Sequence, residues 1–329
     1  MDKKKGLFYN ADMKRFAFAV TVFLAACQFQ PSVGTVGKEK VYPQSELETA
    51  YGIPENVVVY TYLPPGYDSE SAEGYAAAFV LDGDSHFETA VREYESFYEE
   101  GKTDPILIFG IGYGYPGGAY SGGGRFRDYP TPDSVDLFTG ELLPKEKTNC
   151  DNFLKLIKER IVPDAENAYR IDARRKALLG HSLGGGLTFY AFQTYNRTAA
   201  DSLTENPFSI YCYADGGTSY GDMKRIEAIT ASAGTRFDEN ESRSLTLYAV
   251  YGYSVNPPSV MITEAMLYSL LEKKYSDLEI HRFYPRNDNH AATMTTYLRN
   301  SLKLISNDRN GFRDFEDPDC VRPQTGDAQ

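Results

Sequence analysis

The sequence predicts an α/β fold, in which a mostly parallel central sheet carries helices on both faces. Short apolar or β-branched segments alternate along the chain with segments of helical periodicity. Strands that alternate with helices in this way form parallel sheets with right-handed crossovers. The 329 residues, of which 42% are hydrophobic, are enough to bury the large core that such a sheet needs.

Seven segments have the composition of strands, and one of them, 105–111, is apolar throughout, as strands covered on both faces are. The seven are 57–63, 76–81, 105–111, 176–179, 208–214, 245–251 and 278–283. Helical periodicity occurs in 87–99, 152–161, 187–192, 260–274 and 291–305. The segment 112–144 is rich in glycine, tyrosine and proline and has no periodicity. A long loop inside a compact domain is usually functional.

The N-terminal segment is typical of an export signal. Lys14-Arg15 precedes an apolar run, 16–26, that is too short to cross a bilayer as a helix. If Met13 is the true start, the signal has ordinary length. We expect 1–27 to be the signal and 28–40 a polar tether.

The end of this signal, Leu24-Ala25-Ala26-Cys27, resembles the lipobox of bacterial lipoproteins. The resemblance implies cleavage before Cys27, lipid attachment to its sulfur and, because Gln28 follows, a position on the periplasmic or cell-surface face of the outer membrane. A plain secretory signal with an incidental cysteine is the alternative. We expect the folded domain to span 41–306 and the charged tail, 307–329, to be poorly ordered.

Charge and cysteine content limit the possible partners. A formal net charge of −12 disfavours nucleic acid, which is bound by basic patches. Besides Cys27, three cysteines remain, so at most one disulfide forms. Cys212 lies in an apolar run typical of a buried thiol, and a bridge between Cys150 and Cys320 stays open. No pattern indicates a metal site or a cofactor, and the oligomeric state is not predicted.

The sequence Gly180-His181-Ser182-Leu183-Gly184 fits G-x-S-x-G between a predicted strand and a predicted helix. In such a nucleophile elbow the serine sits on a strained turn, and the amide of the next residue, Leu183, can bind an oxyanion at the helix N-terminus. The alternative is a glycine-rich turn with a buried serine. Because the context on both sides fits, we predict that Ser182 is a nucleophile.

The base that accepts the serine proton is predicted from four histidines. His181 adjoins Ser182 and should point away from it into the core, and His281 lies inside a strand. His86 precedes the serine in the chain. His290 follows the last strand and precedes the last helix, which favours it as the base.

Five blocks of sequence resemble, in order, those of the putative esterase family of α/β-hydrolases, and the match covers most of 41–306. The blocks are Leu63-Pro64-Pro65-Gly66-Tyr67, Phe79-Val80-Leu81-Asp82-Gly83-Asp84, Arg125-Phe126-Arg127-Asp128-Tyr129-Pro130-Thr131, Tyr169-Arg170-Ile171-Asp172 and Gly180-His181-Ser182-Leu183-Gly184-Gly185. This family is related to enterochelin (siderophore) esterases, feruloyl esterases, S-formylglutathione hydrolase and the mycolyltransferases. The resemblance implies an α/β-hydrolase fold and a serine esterase.

The catalytic acid departs from the family pattern. Family members usually carry Asp or Glu just after the strand equivalent to 245–251, where this chain has no carboxylate. Asp215, directly after the strand 208–214, is the best replacement, although it could simply cap a loop. A Ser-His dyad without an acid is the alternative. Asp222 and Glu264 are weaker candidates, and Asp288 is too close in sequence to His290.

The resemblance also implies two further contacts. The amide of Asp84, after Asp82-Gly83, should be the second oxyanion donor. An arginine of the family's third block can face the substrate, which makes Arg125 the predicted substrate contact. For either Arg125 or Arg127, a surface ion pair with Asp128 is the alternative.

Three functions are compatible with these residues. The first is a serine carboxylic-ester hydrolase that acts through an acyl-enzyme on a siderophore ester or on an ester-decorated polysaccharide. The second is an acyltransferase of the same fold. The third is a non-catalytic binding lipoprotein with a relic site. We favour the first because the serine elbow and its histidine are both present.

Overall fold

The computed structural model describes residues 34–134, 139–195, 206–216, 220–231, 245–252, 257–273, 278–285 and 289–306. The predicted signal 1–27 with Cys27, the first residues of the predicted tether and the tail 307–329 with Cys320 lie outside the described residues.

The described strands are β1 Thr35–Val36, β2 Lys40–Tyr42, β3 Val57–Leu63, β4 Tyr75–Leu81, β5 Ile106–Gly112, β6 Ile171–His181, β7 Ile210–Ala214, β8 Leu245–Val250 and β9 Leu278–Phe283. They form one sheet in the order β1-β3-β5-β4-β6-β7-β8-β9, and β2 also pairs with β3. From β5 to β9 all neighbours are parallel. The pairs that β3 makes with β1, β2 and β5 are antiparallel.

The register brings the carboxyl ends of the central strands to one level. Val80 of β4 lies opposite Leu179 of β6. Ala214 of β7 lies opposite His181 of β6 and Val250 of β8. The residues that follow these strands therefore meet at one edge, where open α/β sheets bind their ligands.

All the described helices except the last lie between strands in the sequence. They are α1 Gln44–Tyr51, α2 Gly83–Glu95, α3 Gly124–Asp128, α4 Cys150–Leu156, α5 Val162–Ala168, α6 Leu183–Tyr195, α7 Tyr220–Ala231, α8 Pro257–Glu272 and α9 His290–Ile305. A π-helical segment, Ile157–Ile161, joins α4 to α5. Across the described residues we find no helix with the length and apolar character needed to cross a bilayer.

Two apolar cores, one on each face, cover the sheet. On one face α2 and α9 pack on alternate residues of the strands through Phe87, Ala90, Tyr94, Tyr297, Leu298 and Leu302. On the other face the core is completed by residues of α1, α4, α5, α6, α7 and α8, among them Leu47, Phe153, Leu187, Phe189, Ile226 and Leu267. The predicted α/β architecture, a mostly parallel sheet between two layers of helices, is confirmed.

The folded domain begins earlier than the predicted boundary at residue 41. Thr35 and Val36 pair with Leu63 and Tyr62 of β3, and β2 begins at Lys40. Thr35, Val36 and Lys40, which we expected in the tether, therefore belong to strands of the sheet. The physical reason is that these strands cover the edge of β3, whose backbone groups would otherwise lack partners.

The two described cysteines, Cys150 and Cys212, are buried and free. Burial raises the pKa of each thiol to about 12. Both side chains are therefore uncharged apolar residues of the core at neutral pH, as expected for Cys212.

Candidate active site

Ser182 occupies the sharp turn between β6 and α6. Its φ of 60° lies in the left-handed region that residues other than glycine rarely adopt. The Ser182 amide donates to the carbonyl of Ala214 at 2.9 Å, and the Gly186 amide donates to the carbonyl of Ser182 at 3.0 Å. Ser182 is partly exposed. The turn therefore presents its hydroxyl at the carboxyl edge of the sheet, as a nucleophile elbow does.

Two glycines allow the helix to start directly against the sheet. A Cβ on Gly180 would lie 2.0 Å from the carbonyl oxygen of Gly184. A Cβ on Gly185 would lie 2.5 Å from the carbonyl oxygen of Ala214. Both obstacles are backbone atoms, so any larger residue would displace the elbow.

Backbone strain is concentrated at this edge. Asp82 after β4, Ser182 after β6 and Asp215 after β7 have φ values of 56°, 60° and 46°. The three strands are neighbours in the sheet. Each such residue costs on the order of 1 kcal/mol, and strain of this kind gathers at functional sites.

The carboxylate of Asp215 is buried beside the elbow, with its side chain 0% exposed. Its Oδ1 accepts a hydrogen bond from the amide of Gly252, at the end of β8, at 2.8 Å. Burial raises the pKa of this carboxyl, but the facing imidazoles of His181 and His290 and the Gly252 amide lower it below the ordinary value. Asp215 is therefore an ionised carboxylate at neutral pH.

His290 is the first residue of α9. The side chain of Asn289 caps this helix by accepting hydrogen bonds from the amides of Ala291 and Ala292 at 3.1 and 3.0 Å. The Nδ1 atom of His290 lies 3.3 Å from Oδ2 of Asp215, and the His290 side chain is 51% exposed. The structure thus brings together the residues predicted as base and acid, with one ring nitrogen on the carboxylate and the other left for a second partner.

The amides predicted for the oxyanion hole lie at the N-termini of α2 and α6. The first hydrogen bonds of α2 are donated by Ser85 and His86 to the Asp82 carbonyl, so α2 itself does not use the amide of Asp84. In α6 the first such donor is Gly186, which leaves the amide of Leu183 available. Because β4 and β6 are adjacent and in register, both amides belong to the same edge of the sheet.

The Asp84 side chain anchors the loop that follows β5. Its carboxylate accepts hydrogen bonds from the Tyr60 hydroxyl at 2.7 Å and from the amides of Tyr113 and Gly114 at 2.8 and 2.9 Å. The Asp84 side chain therefore stabilises this loop, while the Asp84 amide remains available to bind a ligand.

Arg125 does not take the position predicted for a substrate contact. Its side chain is 2% exposed and forms a two-point ion pair with Asp82, from Nε at 2.8 Å and from the terminal nitrogen at 3.0 Å. The amide of Asp82 donates to the Tyr129 hydroxyl at 3.1 Å. Arg125 therefore lies behind the strained turn at Asp82 and holds it.

Three histidine rings form a row beside the elbow. The His181 ring lies 4.6 Å from that of His290 and 6.0 Å from that of His86, measured between ring centroids. His181 is buried, as predicted, but it faces the site instead of the core, because its Nε2 lies 3.8 Å from Oδ2 of Asp215. Burial lowers the pKa of His86 to about 4, so this innermost ring is neutral. Sequence analysis missed the position of His181.

The other residues considered as acids or substrate contacts have partners of their own. Asp222 pairs with Arg225 at 2.6 Å, Glu264 with Arg282 at 3.0 Å, and Arg127 with both Asp128 and Glu55 at 2.6 and 2.7 Å. His281 faces Glu279 at 2.8 Å. Asp288 lies outside the described residues.

Comparison with known proteins connects this geometry to a family. The family model described as "Putative esterase" matches residues 51–197, which include β3 to β6, the strained turn at Asp82 and the serine elbow. His290 and Asp215 lie beyond the matched segment.

Two curated relatives are similar to parts of the chain. The ferri-bacillibactin esterase BesA of Bacillus subtilis (strain 168) is 29% identical over 180 residues, which cover 50% of this chain and 61% of that protein. The apo-salmochelin esterase of Escherichia coli O6:H1 (strain CFT073) is 32% identical over 130 residues, 39% of each chain. The chain thus spans less than two thirds of the length of either relative.

Among solved structures, the fold is similar to that of the BES protein from Bacillus cereus. The TM-score is 0.64 at 22% sequence identity, over 85% of this chain and 98% of the other. Together with the sheet order, this identifies the α/β-hydrolase fold.

Proposed function

We propose that this protein is a serine carboxylic-ester hydrolase that acts on a siderophore ester, and the match of residues 51–197 to the "Putative esterase" family model supports this. The observation that carries the proposal is the meeting of three elements at one sheet edge: the strained Ser182, the ionised Asp215 and the half-exposed His290. Ser182, Asp215 and His290 are suited to act as the nucleophile, the orienting acid and the base, respectively.

The first half of the reaction forms an acyl-enzyme. His290 takes the proton of the Ser182 hydroxyl through the nitrogen that does not face Asp215, and the serine oxygen adds to the ester carbonyl. The oxyanion that results accepts hydrogen bonds from the amides of Leu183 and Asp84. His290 then gives its proton to the leaving alkoxide as the carbon–oxygen bond breaks.

The second half releases the acid. His290 removes a proton from water, the water oxygen adds to the acyl carbonyl, and collapse of the adduct returns the proton to Ser182. Asp215 fixes the imidazole orientation and stabilises its positive charge in both halves. The facing imidazoles and the Gly252 amide keep the Asp215 carboxylate ionised against the effect of burial, and the same amide holds it in place. Asp215 therefore suits this task.

The substrate class follows from the relatives. The two curated relatives are described as esterases of ferri-bacillibactin and apo-salmochelin. A siderophore ester is therefore the proposed substrate, with a catecholate trilactone as its test compound, and a feruloylated oligosaccharide is the comparison substrate.

Labelling with a fluorophosphonate tests the nucleophile. We expect one stoichiometric adduct, on the peptide that contains Ser182, and none in Ser182→Ala. A folded protein that takes up no label, or takes it up on another serine, contradicts the proposal.

A hydrolysis assay tests the substrate. We expect release of monomeric hydroxy acid amides from a catecholate trilactone with a kcat/KM well above that for a feruloylated oligosaccharide. A higher kcat/KM for the oligosaccharide would indicate that ester-decorated polysaccharides are the substrate class. Transfer of the acyl group to an added alcohol in preference to water would identify an acyltransferase.

We also propose that the protein is exported and lipid-anchored at Cys27, on the basis of the sequence that precedes it. Metabolic labelling with an alkynyl fatty acid in a bacterial host should mark the wild-type protein and not Cys27→Ser. Equal labelling of both would exclude this attachment site.

A further inference from the structure

We infer that His181, Asp215 and His290 form a binding site for a divalent transition-metal ion, and that Zn²⁺ suits this site best. We further infer that a metal ion bound there inhibits hydrolysis. The inhibitory part rests on the proposed function, whereas metal binding does not.

The three side chains offer a compact set of ligand atoms. One ligand atom from each lies within 4.8 Å of the other two. Oδ2 of Asp215 is 3.3 Å from Nδ1 of His290 and 3.8 Å from Nε2 of His181. Ligands at about 2.0–2.2 Å in a tetrahedral zinc site are roughly 3.3–3.6 Å apart. These two separations thus lie closer to the edges of a zinc tetrahedron than to the hydrogen-bond distance of about 2.9 Å. The ligand atoms of the two histidines lie within 4.8 Å of each other, and a turn of the His290 ring would close this third edge.

Burial without hydrogen bonds provides the second observation. His181 is 3% exposed and the Asp215 side chain 0%. Among the described residues, both ring nitrogens of His181 and Oδ2 of Asp215 are buried without a hydrogen-bond partner. Buried polar atoms without partners are rare, and an absent ion is one of their ordinary causes. A single cation would satisfy His181 and Asp215 at once.

The surroundings fit such a site. The second carboxylate oxygen, Oδ1, is held by the Gly252 amide at 2.8 Å, which fixes Oδ2 in the ligand position. Hydrogen-bonded carboxylate ligands are typical of metal centres. His290 is half-exposed, so the ion has a path from solvent and its ring can turn to complete the set. Two imidazoles and one carboxylate suit zinc and its first-row neighbours better than Mg²⁺ or Ca²⁺.

Occupation of the site removes the base. A neutral imidazole that binds a metal through Nδ1 carries its proton on Nε2. Nε2 then has no lone pair to accept the Ser182 proton, and Asp215 is withdrawn from its orienting role. We therefore expect reversible inhibition by zinc that a chelator relieves.

Metal binding is measured on the full chain carrying Ser182→Ala, which keeps all three ligands and needs no activity. After chelator treatment and dialysis, calorimetry with Zn²⁺ should give one site per chain, and Co²⁺ should produce the intense visible bands of tetrahedral coordination. Absence of stoichiometric Zn²⁺ binding, or only the weak bands of octahedral Co²⁺, overturns the site.

A matched pair of histidine variants tests the ligand set. His181→Gln should weaken Zn²⁺ binding at least about 100-fold, since loss of even an outer-shell partner costs up to that factor. His281→Gln, which removes a histidine that faces Glu279 on β9, should leave binding unchanged. Equal affinities in the two variants overturn the assignment.

Zinc sensitivity of hydrolysis tests the inhibition. In the protein with Ser182 intact, inhibition should follow the Zn²⁺ affinity measured by calorimetry, and the remaining activity of His181→Gln should resist zinc concentrations that inhibit wild type. Stoichiometric binding with undiminished hydrolysis overturns the inhibition. If the chain binds zinc but hydrolyses no ester, the proposed function fails and the metal site stands.

Discussion

The carboxylate of Asp215, at the end of β7, accepts a hydrogen bond from the backbone amide of Gly252, at the end of β8, at 2.8 Å. A carboxylate that follows one strand therefore lies beside the end of the next strand. The left-handed backbone at Asp215, with φ of 46°, turns the side chain toward that position. Asp215 thus lies beside the end of β8 in space, which is the observation behind its proposed role as the acid.

The first prediction concerns this role. Asp215→Asn should lower kcat on the order of 10³- to 10⁴-fold with little change in KM, because an amide neither fixes the imidazole tautomer nor stabilises its positive charge. Steady-state kinetics on an aryl acetate measure this loss. Asp164→Asn makes the same change on α5, where the carboxylate pairs with Lys40, and should leave kcat unchanged. A rate for Asp215→Asn within tenfold of wild type would indicate a Ser-His dyad.

The second prediction concerns the buried ion pair behind the turn at Asp82. Arg125→Met should cost about 3–5 kcal/mol of unfolding free energy, because it leaves the Asp82 carboxylate buried and without its cation. Arg175→Met, in the more exposed pair with Asp104, should cost below about 1 kcal/mol. Urea unfolding measures both.

A double variant separates the ion pair from packing. In Asp82→Asn/Arg125→Met neither charge of the pair remains, and asparagine tolerates the left-handed backbone. We expect it to recover a large part of the stability lost in Arg125→Met. No recovery would mean that Arg125 acts through its other contacts, such as the cation–π contact with the Tyr120 ring at 4.5 Å.

The seven strands and the two layers of helices could be predicted because the strands of the central sheet are continuous apolar or β-branched segments, which are recognisable in the sequence. β1 and β2 were not, since Val36 and Val41 are largely exposed and both strands depend on pairing with β3. The local amino-acid composition does not predict β1 and β2, because these strands form only by pairing with β3 after the chain has folded.

The candidate site divides in the same way. Ser182 is predictable because its turn requires glycines at fixed spacing, and His290 because it follows the last strand. The direction of His181 and the ion pair of Arg125 depend on side chains distant in sequence, namely Asp215 and Asp82. The sequence indicated that His181 is buried and that Arg125 contacts the substrate or forms an ion pair. Only the tertiary arrangement decides which partner each side chain has.

The third prediction concerns the elbow backbone. Gly180→Ala should destabilise the protein by at least about 1–3 kcal/mol and reduce labelling of Ser182, because its Cβ would lie 2.0 Å from the Gly184 carbonyl oxygen. Gly123→Ala is the matched control, since its φ is −86° and no heavy atom lies within 4 Å of the added carbon. We expect the control to be neutral or more stable by about 0.4–1 kcal/mol. Equal stabilities of the two variants would contradict the close packing of the elbow.

The fourth prediction concerns the pH dependence that His86 gives to stability. Burial, opposed in part by Asp82, lowers the pKa of folded His86 to about 4, whereas histidine in an unfolded chain titrates near pH 6.5. Its contribution to stability is therefore complete above pH 6.5 and is lost as the pH falls toward 4, because the unfolded chain binds the proton first. At pH 5 this loss amounts to roughly 2 kcal/mol of unfolding free energy.

Urea unfolding of wild type and His86→Gln at pH 8 and pH 5 measures this loss. The two proteins are compared at each pH, so that carboxylates common to both cancel. At pH 8, where residue 86 is neutral in both, the difference records packing and hydrogen bonding alone. At pH 5 the difference should shift by roughly 2 kcal/mol in favour of the variant, because glutamine binds no proton in the unfolded chain. A difference that stays constant between the two pH values would mean that His86 is solvated or charged in the folded protein, contrary to its burial between Asp82 and His181.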